Sequence, residues 1–191
     1  MIPIGYMAKK IPQRPEWLKA PSVIDVYSVS SCVNDDFADY GEYWKHNQWW
    51  FFDSPEVIQR LSLDQSIELH GTHLFYYEAF ELEFDEEEWR PFSPSDANWK
   101  GPDGILEPSS KRLDGFDVVT FLYSPGPECS PLSCNSLAES IRTNSHCLFD
   151  TFEEAQTAVN SGEFNECEPG GLRILAVFSV DWPSPSLVAG E

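Results

Sequence analysis

The order of hydrophobic and polar positions along the chain predicts four strands. Runs rich in β-branched and aromatic residues cover residues 23–29, 74–85, 116–123 and 172–180. In the second run apolar side chains alternate with carboxylates, which predicts one buried face and one solvated face. The third run is apolar on both faces after Asp117, as expected of a central strand.

Local signals between these runs predict helices. Ser54-Pro55-Glu56 is typical of a helix start, and it belongs to a predicted helical layer over residues 35–63, broken near residues 49–53. Thr151 with Glu154 fits a capping box, which predicts a helix ending near Gly162. Ser136 with Glu139 fits a second box and predicts a short helix.

Read in sequence, these elements predict an α+β domain with a mainly antiparallel sheet and helices packed on one face. The order β-α-β-β-α-β is that of the ferredoxin-like split βαβ arrangement, with a long insertion between the middle strands. Residues 89–115, rich in Pro, Gly and Ser, are predicted to form that insertion loop. Residues 1–182 then form a single domain, and residues 183–191 are predicted to be a flexible tail.

Composition indicates a globular chain in a reducing compartment. The 191 residues are 41% hydrophobic and 14% aromatic, which is too aromatic for an acidic disordered chain. No apolar run approaches the length of a membrane span, and Met1 to Lys10 lacks the features of a signal peptide, so we expect a cytoplasmic location. Five cysteines at irregular spacing favour free thiols over a disulfide framework.

Charge narrows the function classes further. The chain carries 32 Asp and Glu against 12 Lys and Arg, for a formal net charge of -20. Such a field repels phosphate, so it argues against nucleic acid and anionic membranes as partners. It favours a basic protein surface, a cation, or a need for solubility.

The carboxylates are clustered near the end of the second predicted strand. A face of this kind could dock on a basic protein, with aromatic side chains as anchors inside a charged rim. The alternative is a solvated face that serves only solubility. The predicted partner-binding residues are Glu81, Glu83, Asp85, Glu86, Glu87, Glu88, Trp89 and Trp99.

Some carboxylates lie where an apolar side chain is expected. Glu78 shares its parity with Tyr76 and Phe80, so a desolvated carboxyl there would suit general acid or base catalysis. A β-bulge that shifts the register would explain the same pattern. Asp25 and Asp117, at or inside predicted strands, raise the same question.

The cysteines and one histidine supply further candidate chemistry. Cys129, Cys134, His146 and Cys147 form a loose set of zinc ligands, although the spacing departs from paired zinc knuckles. Alternatively, Cys134 precedes the predicted helix at Ser136, whose N-terminus would favour a thiolate, with His146 as its base. The third reading is that these cysteines are small buried hydrophobic residues.

These features predict a binding protein rather than a committed enzyme. A small, very acidic, aromatic-rich chain fits an inhibitor that occludes a basic site, as bacterial immunity proteins and nucleic-acid mimics do, on grounds of electrostatics alone. The alternative is a small enzyme centred on Cys134 and His146 or on a carboxylate such as Glu78. The sequence contains no glycine-rich phosphate loop, and we expect no cofactor.

Overall fold

The computed structural model describes residues 1–29, 51–92, 104–121 and 129–183. Three predicted features lie outside the described residues. They are the first part of the helical layer, which begins at residue 35, the side chain of Trp99, and the tail after residue 183. Within them the protein is an α+β structure built on a six-stranded sheet in which every strand pairing is antiparallel. The predicted fold class is therefore confirmed.

The last strand is the centre of the sheet. The strands are β1 (Ile2–Lys9), β2 (His73–Ala79), β3 (Leu82–Asp85), β4 (Glu88–Pro91), β5 (Arg112–Phe121) and β6 (Gly171–Val180). Their order is β1-β2-β6-β3-β4, and β5 also pairs with β6. This order does not confirm the ferredoxin-like arrangement, because β1 pairs with β2 and β6 contacts three other strands.

The described residues form three helices whose starts the local sequence explains. They are α1 (Pro55–Gln65), α2 (Pro131–Cys134) and α3 (Phe152–Asn160). Pro55 occupies the first turn of α1, where a missing N–H costs nothing. The capping box of α3 is confirmed, since Thr151 Oγ1 accepts from the Glu154 backbone N–H at 3.2 Å and the Glu154 carboxylate accepts from the Thr151 N–H at 3.3 Å.

The predicted helix at Ser136 is wrong in form. Ser136 has a φ of 59°, and a 3-10 turn over Leu137–Glu139 replaces the helix. The predicted capping box fails because the Glu139 carboxylate instead accepts a hydrogen bond from the Lys19 backbone N–H at 2.8 Å.

One predicted strand is absent from the structure, and one observed strand was not predicted. Residues 23–29 do not form a strand; Val23, Val26 and Val29 are buried in an irregular segment whose one bridge joins Gln13 and Asp25. Their burial in the two hydrophobic clusters explains the β-branched pattern, while the backbone of this segment donates hydrogen bonds to the carbonyls of residues 145 and 146. Conversely, β1 was not predicted, because its proline and glycine weaken the strand signal and coincide with a register shift.

The boundaries around the middle strands also change. The run at residues 74–85 is two strands, β2 and β3, which both pair with β6 along its length. The predicted loop at residues 89–115 is shorter at both ends, because β4 extends to Pro91 and β5 begins at Arg112.

Two hydrophobic clusters meet at β5 and β6. Val119 and Leu175 belong to a cluster that packs with β1, β2 and α1, whereas the adjacent Val118 and Ile174 belong to a cluster that packs with α3. Both faces of these two strands are thus covered by apolar side chains, which confirms the apolar pattern predicted after Asp117. The central position expected of this run is wrong, because β5 pairs with β6 alone among the described strands.

Gly115 lets an outer segment approach β5. Its φ is 150°, and a β-carbon there would lie 2.6 Å from the Phe149 carbonyl oxygen. Phe116 and Phe149 exchange backbone hydrogen bonds of 2.9 Å. The segment that carries His146 and Cys147 is therefore fixed against the sheet edge.

None of the helices in the described part of the chain is long and apolar enough to cross a membrane.

Candidate functional site

Strands β3 and β4 form a hairpin that carries most of the predicted partner-binding residues, here called the acidic hairpin (residues 81–92). Asp85 pairs with Glu88, which leaves Glu86 and Glu87 as a two-residue turn. Their φ values are 50° and 66°, so both lie in the left-handed region. Such turns favour Asn-Gly, and a side chain at each position costs of order 1 kcal/mol. The tip therefore stores backbone strain in two carboxylate-bearing residues.

Most carboxylates of the acidic hairpin face solvent. Arg90 is the hairpin's single basic residue, and its guanidinium pairs with Asp85 at 2.9 Å and with Glu86 at 3.2 Å. One cation cannot neutralise this set, so the tip is strongly negative. The exposed carboxylates are those of Glu81, Glu86, Glu87 and Glu88.

The base of the hairpin is held by a buried arginine of β6. Arg173 is fully buried, its Nη2 donates to the Phe80 carbonyl at 2.6 Å, and its guanidinium lies 4.0 Å from the centre of the Phe92 ring. Burial lowers the pKa of Arg173 to about 9, although the charge of Glu83 opposes this. Glu83 is half-buried, and burial raises its pKa against the opposing charge of Arg173. Glu83 therefore belongs to the base of the hairpin rather than to its exposed face.

Trp89 joins the acidic hairpin to helix α3. Its indole N–H donates to the Asn160 side-chain oxygen at 2.7 Å. Its ring lies 5.5 Å from that of Phe80 and 5.3 Å from that of Phe84, between ring centres. Trp89 is therefore a structural link with its donor already used, rather than a free anchor. Trp99 lies outside the described residues.

A second group of polar residues is buried inside the protein, around Asp117 of β5. Its carboxylate is fully buried and accepts hydrogen bonds from the Val29 backbone N–H at 3.0 Å and from Ser130 Oγ at 2.6 Å. Burial raises the pKa of Asp117 to about 6, against the lowering effects of these bonds and of the Lys9 charge. We call Asp117, Lys9, Ser28, Ser130 and Ser133 the Asp117 network.

Lys9 supplies the positive charge of the Asp117 network. Its side chain is fully buried, and Nζ donates to the Tyr27 carbonyl at 3.2 Å and to the Ser28 carbonyl. Burial lowers the pKa of Lys9 to about 7, while the Asp117 charge opposes the shift. The two serine hydroxyls of Ser28 and Ser133 lie 2.9 Å apart and complete the network.

His146 and Asp25 form a hydrogen-bonded pair near the surface. His146 Nδ1 lies 2.6 Å from Asp25 Oδ1, and the imidazole stacks on the Tyr27 ring with 4.0 Å between centres. The pair keeps 29% and 24% of its side-chain area exposed. A carboxylate that fixes a histidine in this way leaves Nε2 to act as a base or an acid.

The positions of the cysteines do not support the nucleophile and zinc-ligand roles predicted from the sequence. Cys134 is the last residue of α2, so it lies at the carboxyl end of a helical turn and not at an amino end. Cys147 is fully buried, and burial raises its pKa to about 12, which makes it a poor nucleophile. Cys129, Cys134, His146 and Cys147 are all described, yet the described ranges contain no group of three metal-binding side chains.

Glu78 is an ion-pair partner rather than an isolated buried acid. Its carboxylate pairs with Lys111, and 15% of its side-chain area is exposed. The Lys111 ammonium also lies 5.0 Å from the centre of the Tyr76 ring and 4.6 Å from that of Phe178. Glu78 therefore lies near Tyr76, as predicted, and Lys111 compensates its charge. Phe80, which was predicted to share this face, packs against the other hydrophobic cluster.

Comparison with known proteins adds no relative. No family model matches the chain, and neither a curated protein nor a solved structure matches it significantly. Each candidate site therefore depends on its own geometry.

Most residues of the Asp117 network could not be recognised from the sequence. Lys9, Ser28, Ser130 and Ser133 were not predicted to form a site, although all four are buried. The one available clue was the placement of Asp117 inside an apolar run, because a buried charge requires partners. The identity of those partners depends on the fold.

Proposed function

We propose that the protein binds a basic protein partner through the acidic hairpin and covers a basic site on that partner. The observation that carries the proposal is the hairpin tip, where Glu86 and Glu87 are exposed and strained together. Strained backbone conformations are commonly found at functional sites that use them, although relieving the strain would stabilise the fold. Both residues are exposed, so Lys or Arg side chains of a partner could reach Glu87 directly and Glu86 in competition with Arg90.

The overall charge supports the same partner chemistry. A net charge of -20 speeds association with a basic surface and makes that association sensitive to salt. The same field opposes binding to nucleic acid or to an anionic membrane, so neither is part of the proposal. The base of the hairpin, fixed by Arg173, would present the tip in one orientation and limit the entropy lost on binding.

Charge reversal combined with affinity capture tests this function. The bait is the full chain, and the reversed variant is Glu81→Lys/Glu87→Lys/Glu88→Lys. We expect the wild type to retain a basic protein from host lysate at low salt and to release it at high salt. The reversed variant should lose that protein.

A matched variant controls for net charge. Glu16→Lys/Asp64→Lys/Glu68→Lys makes the same change at exposed positions away from the hairpin. It should retain the partner nearly as well as the wild type. If both variants lose the partner equally, the hairpin is not the binding site.

A reducing location belongs to the same proposal. None of the four cysteines of the described residues, Cys129, Cys134, Cys147 and Cys167, forms a disulfide. Free thiols persist in the cytoplasm, where we propose that the protein and its partner meet. Fractionation of host cells, with detection of this chain in a compartment other than the cytoplasm, would contradict it.

A second candidate function is acid–base catalysis at His146. The 2.6 Å contact between His146 Nδ1 and Asp25 favours it, because this pairing orients the imidazole. Hydrolysis of p-nitrophenyl acetate provides a test. We expect His146→Gln and Asp25→Asn each to lower the rate about tenfold or more, and Cys134→Ala to leave it unchanged. Equal rates in wild type and His146→Gln would reject this function.

A further inference from the structure

A groove lies alongside helix α3, on the element that Trp89 joins to the acidic hairpin. It has a volume of about 480 Å³ and is lined in part by the apolar side chains of Ile141, Phe149 and Ala158. This volume lies within the usual range of binding sites, which is roughly 300 to 1,000 Å³. We call this cavity the α3 groove.

Carboxylates border the apolar surface of the α3 groove. Glu153 and Glu163 line it and are exposed, and neither side chain has a hydrogen-bond or ion-pair partner within the described part of the chain. Glu154 also lines the groove, but its carboxylate caps the helix. The single cation in the lining is Arg142, which faces Asp150 at 3.9 Å. The border is therefore net negative around an apolar floor.

Two side-chain contacts connect helix α3, which lines the α3 groove, to the acidic hairpin and to the residue that precedes it. Trp89 of the hairpin bonds Asn160 at the end of α3, and the Phe80 ring lies 4.8 Å from the Phe152 ring, between centres, at the start of α3. Contacts at both ends of the helix fix its position relative to the hairpin. A partner seated on one region would therefore meet the other in a defined geometry.

We propose that the α3 groove receives an apolar side chain that is flanked by Lys or Arg in the basic partner. The apolar floor would desolvate the inserted side chain, while Glu153 and Glu163 would meet its cationic neighbours. This inference rests on the proposed function, and it adds the partner's local chemistry. A uniformly charged basic segment satisfies the hairpin alone, whereas an amphipathic basic segment satisfies both regions.

Two synthetic peptides test the inference on the full chain. Lys-Lys-Leu-Lys-Lys carries the apolar side chain, and Lys-Lys-Ser-Lys-Lys has the same charge without it. Binding is followed at low ionic strength by NMR of the Ile141 and Ala158 methyl groups. We expect the leucine peptide to bind roughly tenfold more tightly and to shift these methyl signals.

A variant that fills the groove provides the control within the protein. Thr157 lines the groove and is exposed on α3, so Thr157→Phe should occupy the cavity without changing charge. The preference for leucine should fall to about one in this variant. Gln65→Phe adds the same ring at an exposed position of α1, outside the groove lining and without changing charge, and should keep the preference. Loss of the preference in Gln65→Phe as well would overturn the assignment.

The outcomes separate this inference from the function on which it rests. If both peptides bind equally and both weaken on charge reversal of the hairpin, the groove proposal fails while the hairpin proposal stands. If the leucine preference is present but the methyl signals of Ile141 and Ala158 do not move, the apolar site is elsewhere and the inference is wrong. If neither peptide binds, both proposals fail.

Discussion

The Asp117 network and the acidic hairpin handle charge in opposite ways. Asp117 and Lys9 are fully buried, and each makes at least two hydrogen bonds. Glu87 and Glu88 are exposed at the end of a narrow hairpin. A buried charge must be satisfied by the fold, so it mainly determines structure. An exposed charge costs the fold little and remains available to a partner.

Removing the buried carboxylate should have the largest effect on stability. Asp117→Ala leaves the Val29 N–H and the Ser130 hydroxyl without an acceptor and takes away the charge that faces Lys9. We expect the free energy of unfolding to fall by about 4 kcal/mol at pH 7. Urea denaturation followed by tryptophan fluorescence measures this loss.

An exposed aspartate gives the matched comparison. Asp150→Ala removes a carboxylate that lies on the surface, 3.9 Å from Arg142, and should change stability by less than about 0.5 kcal/mol. Equal losses in the two variants would show that burial does not distinguish these two regions.

The second largest effect should be the pH dependence of stability, which should differ between Asp117 and the surface carboxylates. Burial raises its pKa from 3.8 to about 6, so the folded state holds this proton more tightly than the unfolded chain. Ionisation of Asp117 therefore costs stability as pH rises from about 4 to about 6. The stability of wild type relative to Asp117→Asn should fall by about 2 kcal/mol across that window.

The window avoids the second group of the network. The pKa of Lys9 is lowered to about 7, so its stability contribution changes above that pH. Denaturation of both proteins at pH 4, 5 and 6 provides the measurement. A difference that stays constant, or that rises with pH, would contradict a raised pKa at Asp117.

The hairpin turn should respond in the opposite direction, by gaining stability. Glu86→Asn/Glu87→Gly places the residues that two-residue turns favour at φ values of 50° and 66°. We expect a gain of about 1 kcal/mol in the free energy of unfolding, reduced slightly by loss of the Glu86 pair with Arg90. Thermal denaturation measures it.

The same two substitutions outside the turn control for composition. Glu81→Asn/Glu88→Gly changes one residue before β3 and puts glycine in β4, so it should not stabilise the protein. If Glu86→Asn/Glu87→Gly is also neutral or destabilising, the tip is not strained. Its conformation would then give no support to a binding role.

Features that depend on residues close together in the sequence were predicted correctly, whereas features that depend on distant residues were not. The starts of α1 and α3 depend on adjacent residues, such as Thr151 and Glu154, and both were correct. The strand prediction for residues 23–29 was wrong because its side chains are buried in clusters formed with residues far away in sequence, and its backbone bonds to residues 145–146 rather than to a strand. Local pattern records that a side chain is apolar, but it does not record what covers it.

The candidate sites show the same limit. Asp25 and Asp117 were recognised as charges in apolar surroundings, yet their partners were not. His146 lies 121 positions from Asp25, and Ser130 approaches Asp117 through the packing of α2 against β5. The acidic hairpin was easier, since its carboxylates are contiguous. Even there, the separation of Glu83 from the exposed set depends on Arg173, which is distant in sequence.

Neutralising the exposed carboxylates of the hairpin should have the smallest effect on stability. Glu81→Gln/Glu88→Gln keeps side-chain size and removes two charges that have no ion-pair partner in the described residues. We expect the free energy of unfolding to change by less than about 0.5 kcal/mol, with a small gain from reduced repulsion. A loss above about 1 kcal/mol would mean that these carboxylates support the fold, as Asp117 does. A neutral result would make any accompanying loss of partner binding a direct effect on recognition.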